Sequence, residues 1–129
     1  MSLRVATLLS AALGVSLIGL GYLISPQFMF GLYGIGLESV NGMNMVRSAY
    51  GGLFAGFALL FGLGAARPEL ARPALLGLFT FMAGLAAGRI ASIAIDRLPS
   101  PLILGLTGVE IAYACVAGYL LTAHHEGSR

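Results

Sequence analysis

Charge is what this sequence has least of. Asp, Glu, Lys and Arg together make up 9% of its 129 residues, and lysine does not occur. A soluble domain usually carries about 25% charged residues, and one of this size could not cover its surface with so few. The arginines are scattered rather than clustered, and the net charge is only +2, so nucleic acid is not an expected partner. Cysteine occurs once, as Cys115, which excludes an internal disulfide. Its place inside an apolar run points to a buried, inert thiol. Histidine is absent from the apolar runs, which removes haem ligation and the commonest general base from them. His124 and His125 fall in a polar tail; a solvated end is expected there, and a metal contact is the alternative. Zinc or iron–sulfur chemistry needs more sulfur and histidine than the chain offers. There is no His-Glu-x-x-His, P-loop or dinucleotide fingerprint. No catalytic residue, metal or cofactor is therefore assigned.

What is present is apolar. Hydrophobic residues make up 58% of the chain, and glycine contributes 19 residues. Glycine weakens helices in water but is common in membrane helices that pack closely. Four long apolar runs stand out: Val5 to Ile24, Met45 to Gly64, Ala74 to Ile95 and Leu102 to Leu121. Each is about long enough to cross a hydrocarbon core of about 30 Å. Arg4 before the first run raises the alternative of a signal peptide. That run exceeds a usual h-region and lacks a following A-x-A site, so it reads as an uncleaved span. Pro73 and Pro101 suit first-turn positions, and Ser100 suits an N-cap. The Arg67-Pro68 and Arg72-Pro73 pairs bracket an expected short turn, and Asp96–Pro101 forms the next. Short turns make consecutive helices antiparallel neighbours.

Ser25 to Asn44 is the exception. Ser25-Pro26 signals a helix start, and Phe28, Phe30 and Tyr33 suit a membrane–water interface. The segment reads as a short interfacial helix followed by a Gly-rich turn, with a structureless lid as the alternative. The expected fold is all-α: a polytopic four-transmembrane-helix bundle in one domain, residues 1–129, with an interfacial helix between helices one and two. Arg4, Arg67, Arg72 and Arg129 fall on the side holding both termini, and only Arg97 falls in a loop on the other. By the positive-inside rule both termini are cytoplasmic. A bacterial inner (plasma) membrane is the expected location.

Three ionisable residues interrupt the spans: Arg47, Arg89 and Glu110. A charge at the bilayer centre costs about 2.5–3.5 kcal/mol on insertion scales, so such residues usually face the bundle interior and find partners. At 1.5 Å per residue Glu110 lies about 13 Å from the outer end of its helix, Arg89 about 9 Å and Arg47 roughly one turn. All three thus fall in the outer half, with Asp96 and Glu38 near the surface. Helical spacing places Arg89, Ser92 and Asp96 on one face. Arg47, Tyr50 and Phe54 share a second, and Thr107, Glu110 and Tyr113 a third. If these faces point inward, two guanidinium groups meet one carboxylate and two phenols.

Three readings follow. Arg89 and Glu110 could form a structural ion pair, with Arg47 joining them or snorkelling outward. Arg47, Tyr50, Arg89, Ser92, Asp96, Glu110 and Tyr113 could instead line a site for a lipid or other amphiphilic or acidic ligand, the surplus positive charge meeting a headgroup through forked arginine donors. Glu110 could also serve a small proton-coupled transporter, although the small four-helix exporters keep their carboxylate in the first helix, where this chain has none. An enzyme using Glu110, Asp96 or a tyrosine comes after these. Gly52 with Gly56, and Gly84 with Gly88, have the four-residue spacing of close helix packing, within the bundle or between two copies. Membrane lipids are the expected partners, with a membrane-protein partner or homo-oligomer beside them.

The stretch Asn44-Met45-Val46-Arg47-Ser48-Ala49-Tyr50-Gly51-Gly52, then Gly88-Arg89, Ser92, Asp96, Pro99 and Glu110, resembles a bacterial family of small four-helix membrane proteins known only as a domain of unknown function. The resemblance covers nearly the whole chain. It implies the four-helix fold and places Arg47, Arg89 and Glu110 in the family pattern, and it supplies no activity. A looser similarity to the DoxX-like membrane proteins implies an accessory role near quinone or lipid chemistry, by architecture alone.

Overall fold

The computed structural model describes residues 1–126, the last three by backbone only. The His124 and His125 side chains and Arg129 therefore lie outside the described residues. The chain is helical, with no strand among the described residues. Helix α1 runs Leu3–Ile24, α2 Pro26–Gly31, α3 Val40–Ala66, α4 Pro68–Ile95 and α5 Pro101–Glu126. The four long ones are each long and apolar enough to cross a membrane.

Helix starts follow local chemistry. The Ser2 side chain accepts from Val5 N at 3.4 Å and caps α1. Ser39 Oγ accepts from Gly42 N at 2.9 Å and starts α3 at Val40, five residues before the expected Met45. Asn41, Gly42 and Asn44 are weak helix formers, but the Ser39 cap carries the helix through them. Helix α4 also begins early. Pro68 takes its first position and Glu69 lies in the first turn, where the helix dipole favours a carboxylate. The turn expected between Arg67-Pro68 and Arg72-Pro73 is thus mostly helix, and Pro73 sits inside α4 rather than at its start. Arg67 alone links α3 to α4 in an extended conformation.

The long helices alternate in direction. Gly51, in the first half of α3, meets Leu23 at the end of α1, while Gly64 near the end of α3 meets Ala74 and Leu8. A methyl group at Gly64 would collide with Ala74 Cβ, so glycine permits the tight α3–α4 hairpin. The spaced pairs do not pack within the bundle. Nothing lies within 4 Å of a Cβ built at Gly56, Gly84 or Gly88, and Gly52 has only Arg47 O at 3.8 Å. Those glycines face outward, and Gly19, Gly51 and Gly64 carry the close approaches instead. Cys115 is also exposed on the bundle's outer face rather than buried, because an apolar run in a membrane helix does not distinguish lipid-facing from protein-facing positions.

The packed core occupies the end nearer the N-terminus. Leu8, Ala11, Phe61, Leu75, Leu78 and Ala117 meet there. Tyr113 O–H donates to Ser10 Oγ at 3.0 Å, and Ser10 donates to Thr7 O at 3.1 Å, stitching α5 to α1. Elsewhere α1 and α5 touch little, whereas α1–α3, α3–α4 and α4–α5 pack along their lengths. The bundle is closed at one end and parted at the other.

Candidate functional site

A partly enclosed cavity of about 330 Å³ fills the parted end, within the size range of small-molecule sites. Val15, Ile18 and Tyr22 of α1 form one wall, and Tyr50 and Phe54 of α3 another. Phe81, Met82 and Leu85 face them from α4; Ile103, Leu106 and Val109 from α5. Phe30, Tyr33 and Ile35, from α2 and the turn after it, complete the lining. That turn depends on Gly34, whose φ of 72° is a conformation glycine adopts without penalty.

The aromatic wall is continuous. Tyr22 and Tyr50 have ring centroids 5.1 Å apart, and Phe30 meets both edge-on at 5.8 and 5.5 Å. Phe54 meets Phe81 edge-on at 5.4 Å, and Phe81 stacks on Phe57 at 4.3 Å. Such edge-to-face contacts add about 0.5–1.5 kcal/mol each beyond their area. They make a stiff apolar surface.

Arg89 and Glu110 supply the polar end. Arg89 Nε donates to Glu110 Oε1 at 3.0 Å and to Oε2 at 2.8 Å. The glutamate is nearly buried, at 8% side-chain exposure, and the arginine retains 28%. Nη1 and Nη2 make no hydrogen bond to a protein acceptor among the described residues. Tyr22 and Tyr33 line the same cavity as Arg89. Four unspent N–H donors and two phenols therefore border an otherwise apolar space.

Of the seven residues expected at a site, the structure brings Tyr50, Arg89 and Glu110 to the cavity. Ser92 Oγ donates to Asp96 Oδ2 at 2.9 Å, one turn along the same helix and exposed. Tyr113 is engaged with Ser10, away from the lining. Arg47 is turned elsewhere. Its Nε donates to Leu23 O at 3.0 Å, one of the carbonyls left over at the end of α1. The cause lies in α3, where the ladder loosens to π-type bonding over Arg47–Gly52. A π-turn adds one residue to the helix and rotates everything before it by about 100°. Arg47 thereby leaves the face of Phe54, and the expected meeting of two arginines with one carboxylate becomes a meeting of one.

Arg47 acts as a cation on a helix C-terminus, an interaction of about 0.3–1 kcal/mol. Arg47→Ala is expected to lower stability by no more than about 1 kcal/mol and to leave cavity occupancy unchanged. Thermal unfolding in detergent, paired with native mass spectrometry of whatever co-purifies, checks both; a change in what co-purifies would return Arg47 to the site.

Sequence reasoning missed Tyr22, Ile35 and Phe81 at the cavity, and placed Phe30 and Tyr33 only at an interface. The signal for the last two was present in the aromatic spacing after Pro26. Among the described residues no group of His, Cys, Asp and Glu could hold a metal.

No curated protein and no solved structure matches the chain. Residues 2–121 match a family described as a domain of unknown function, DUF4345. The chain belongs to that family, and its four apolar helices agree with a multi-pass membrane protein.

Proposed function

We propose that this protein binds a lipid or related amphiphile, non-enzymatically, in the cavity at the parted end of the bundle. The carrying observation is the union of an aromatic-walled cavity of about 330 Å³ with unspent Arg89 donors at its polar end. An apolar body suits the walls, and a polar head suits Arg89, Tyr22 and Tyr33. The sparse α1–α5 seam offers such a molecule a sideways path from the bilayer. A protein of this kind serves as a carrier or as an accessory subunit that presents its ligand to a partner. A likeness to DoxX-like proteins, expected from the sequence alone, would fit the accessory role and adds no residue to the site. Native mass spectrometry after gentle extraction tests the reading: a bound amphiphile is expected on the wild-type protein.

Two other readings draw less support. A purely structural ion pair accounts for Arg89–Glu110 but not for the cavity beside it. A proton-coupled transporter needs a carboxylate free to exchange its proton, whereas both Glu110 oxygens are held by Arg89.

The same reading sets the protein in a bacterial inner membrane with both termini cytoplasmic, which puts the cavity toward the outer leaflet. Its support is that Arg4, Arg67 and Arg72 gather at the end of the bundle opposite Arg97. A terminal reporter that works only outside the cytoplasm is expected to stay silent, and activity from it would reverse the orientation. Gly56, Gly84 and Gly88, facing outward, leave room for a membrane-protein partner or a second copy.

A further inference from the structure

Resting on that reading, we infer that the cavity selects an amphiphile with an uncharged, hydrogen-bond-accepting head, such as a carbonyl or ester, over an anionic one, and that Glu110 sets this selectivity. Charge bookkeeping at the polar end is simple. Arg89 contributes one positive charge and Glu110 one negative, held together at 2.8 Å. Arg47 is spent on Leu23 O and does not line the cavity. The remaining lining is aromatic or aliphatic. The site is therefore neutral before any ligand arrives.

An anionic head would make this low-dielectric end net negative and would sit beside the Glu110 carboxylate, which water screens poorly there. A carbonyl or ester oxygen accepts from Nη1 and Nη2 without adding charge. Tyr22 and Tyr33 face each other at this end, and a phenol both donates and accepts, so the pair together suits a head carrying both a carbonyl and a hydroxyl. Glu110 thus acts through Arg89 as a positioning and specificity residue. It ties down Nε, leaves the two amino groups of this lining residue without a protein acceptor among the described residues and cancels their charge.

The test is a competition between monooleoylglycerol and oleoyl lysophosphatidic acid, read by native mass spectrometry of the full chain at neutral pH. These probes share an acyl chain and differ in head charge. The wild-type protein is expected to retain the uncharged probe at least about tenfold better. In Glu110→Gln the site carries a net positive charge, and the preference is expected to reverse. In the double variant Arg89→Gln with Glu110→Gln the site is again neutral, so both probes bind more weakly and the wild-type order persists. A wild-type preference for the anionic probe, a folded Glu110→Gln that keeps the wild-type order, or a double variant that swings to the anionic probe overturns the inference while leaving amphiphile binding standing. Retention of neither probe by the wild-type protein overturns both. If Glu110→Gln does not fold, the wild-type and double-variant orders decide.

Discussion

Arg89→Ala is expected to lower stability by about 3–5 kcal/mol, because it leaves the nearly buried Glu110 carboxylate uncompensated; Glu110→Ala is expected to cost less, because the Arg89 side chain keeps 28% exposure. The bilayer sharpens the effect for the carboxylate, which at 8% exposure has little water to turn to. The informative variant is the double one. Arg89→Met with Glu110→Leu removes both charges and fills similar volume, so it is expected to be at least as stable as the wild-type protein. Reversible unfolding in mixed micelles, run on the wild-type protein, Arg89→Met, Glu110→Leu and their combination as a double-mutant cycle, measures this. A double variant as stable as the wild-type protein that no longer holds an amphiphile would show that the pair is not there for stability. A double variant several kcal/mol weaker would make Arg89–Glu110 a structural clamp.

The second large effect comes from filling the cavity. Leu85 and Leu106 line it from α4 and α5 and are only partly buried. Tryptophan at both positions would occupy space that is open beside them. Overpacking a closed core costs about 1–3 kcal/mol, whereas filling an existing cavity commonly gains about 0.5–2 kcal/mol. Leu85→Trp with Leu106→Trp is therefore expected to unfold no more easily than the wild-type protein. Amphiphile retention is expected to fall by more than about tenfold, each factor of ten corresponding to about 1.4 kcal/mol. Stability and binding move in opposite directions, which general damage to the fold does not produce.

The sequence carried the architecture because in a membrane every backbone polar group must be satisfied within its own helix. Long apolar runs then have few structures available. Helix ends were less legible where a single capping residue outweighed several weak helix formers, as at Ser39, or where proline is tolerated beyond the first turn, as at Pro73. The Arg89–Glu110 contact was legible because two opposite charges within apolar runs of adjacent antiparallel helices, at similar depth, have little else to pair with. Arg47 was not, because face assignments assume 3.6 residues per turn and the π-type turn at Arg47–Gly52 breaks that assumption. The outward glycines and Cys115 were misplaced for another reason. Lipid is as apolar as the protein interior, so composition does not tell the two faces of a membrane helix apart. Tyr22 comes from a helix with no charge near it, and Phe81 lies two turns before Arg89 on α4, beyond the three- and four-residue spacings used to draw the faces; only the three-dimensional path of the chain brings the two to one cavity.

The central claim is that the parted end of the bundle holds an amphiphile between its aromatic wall and Arg89. Native mass spectrometry of the wild-type protein beside Leu85→Trp with Leu106→Trp, extracted from the same membranes under the same conditions, tests it most directly. A defined added mass of amphiphile on the wild-type protein, absent from the filled variant at equal folding stability, is the predicted result. Equal adducts on both proteins, or a bare wild-type chain, would contradict it.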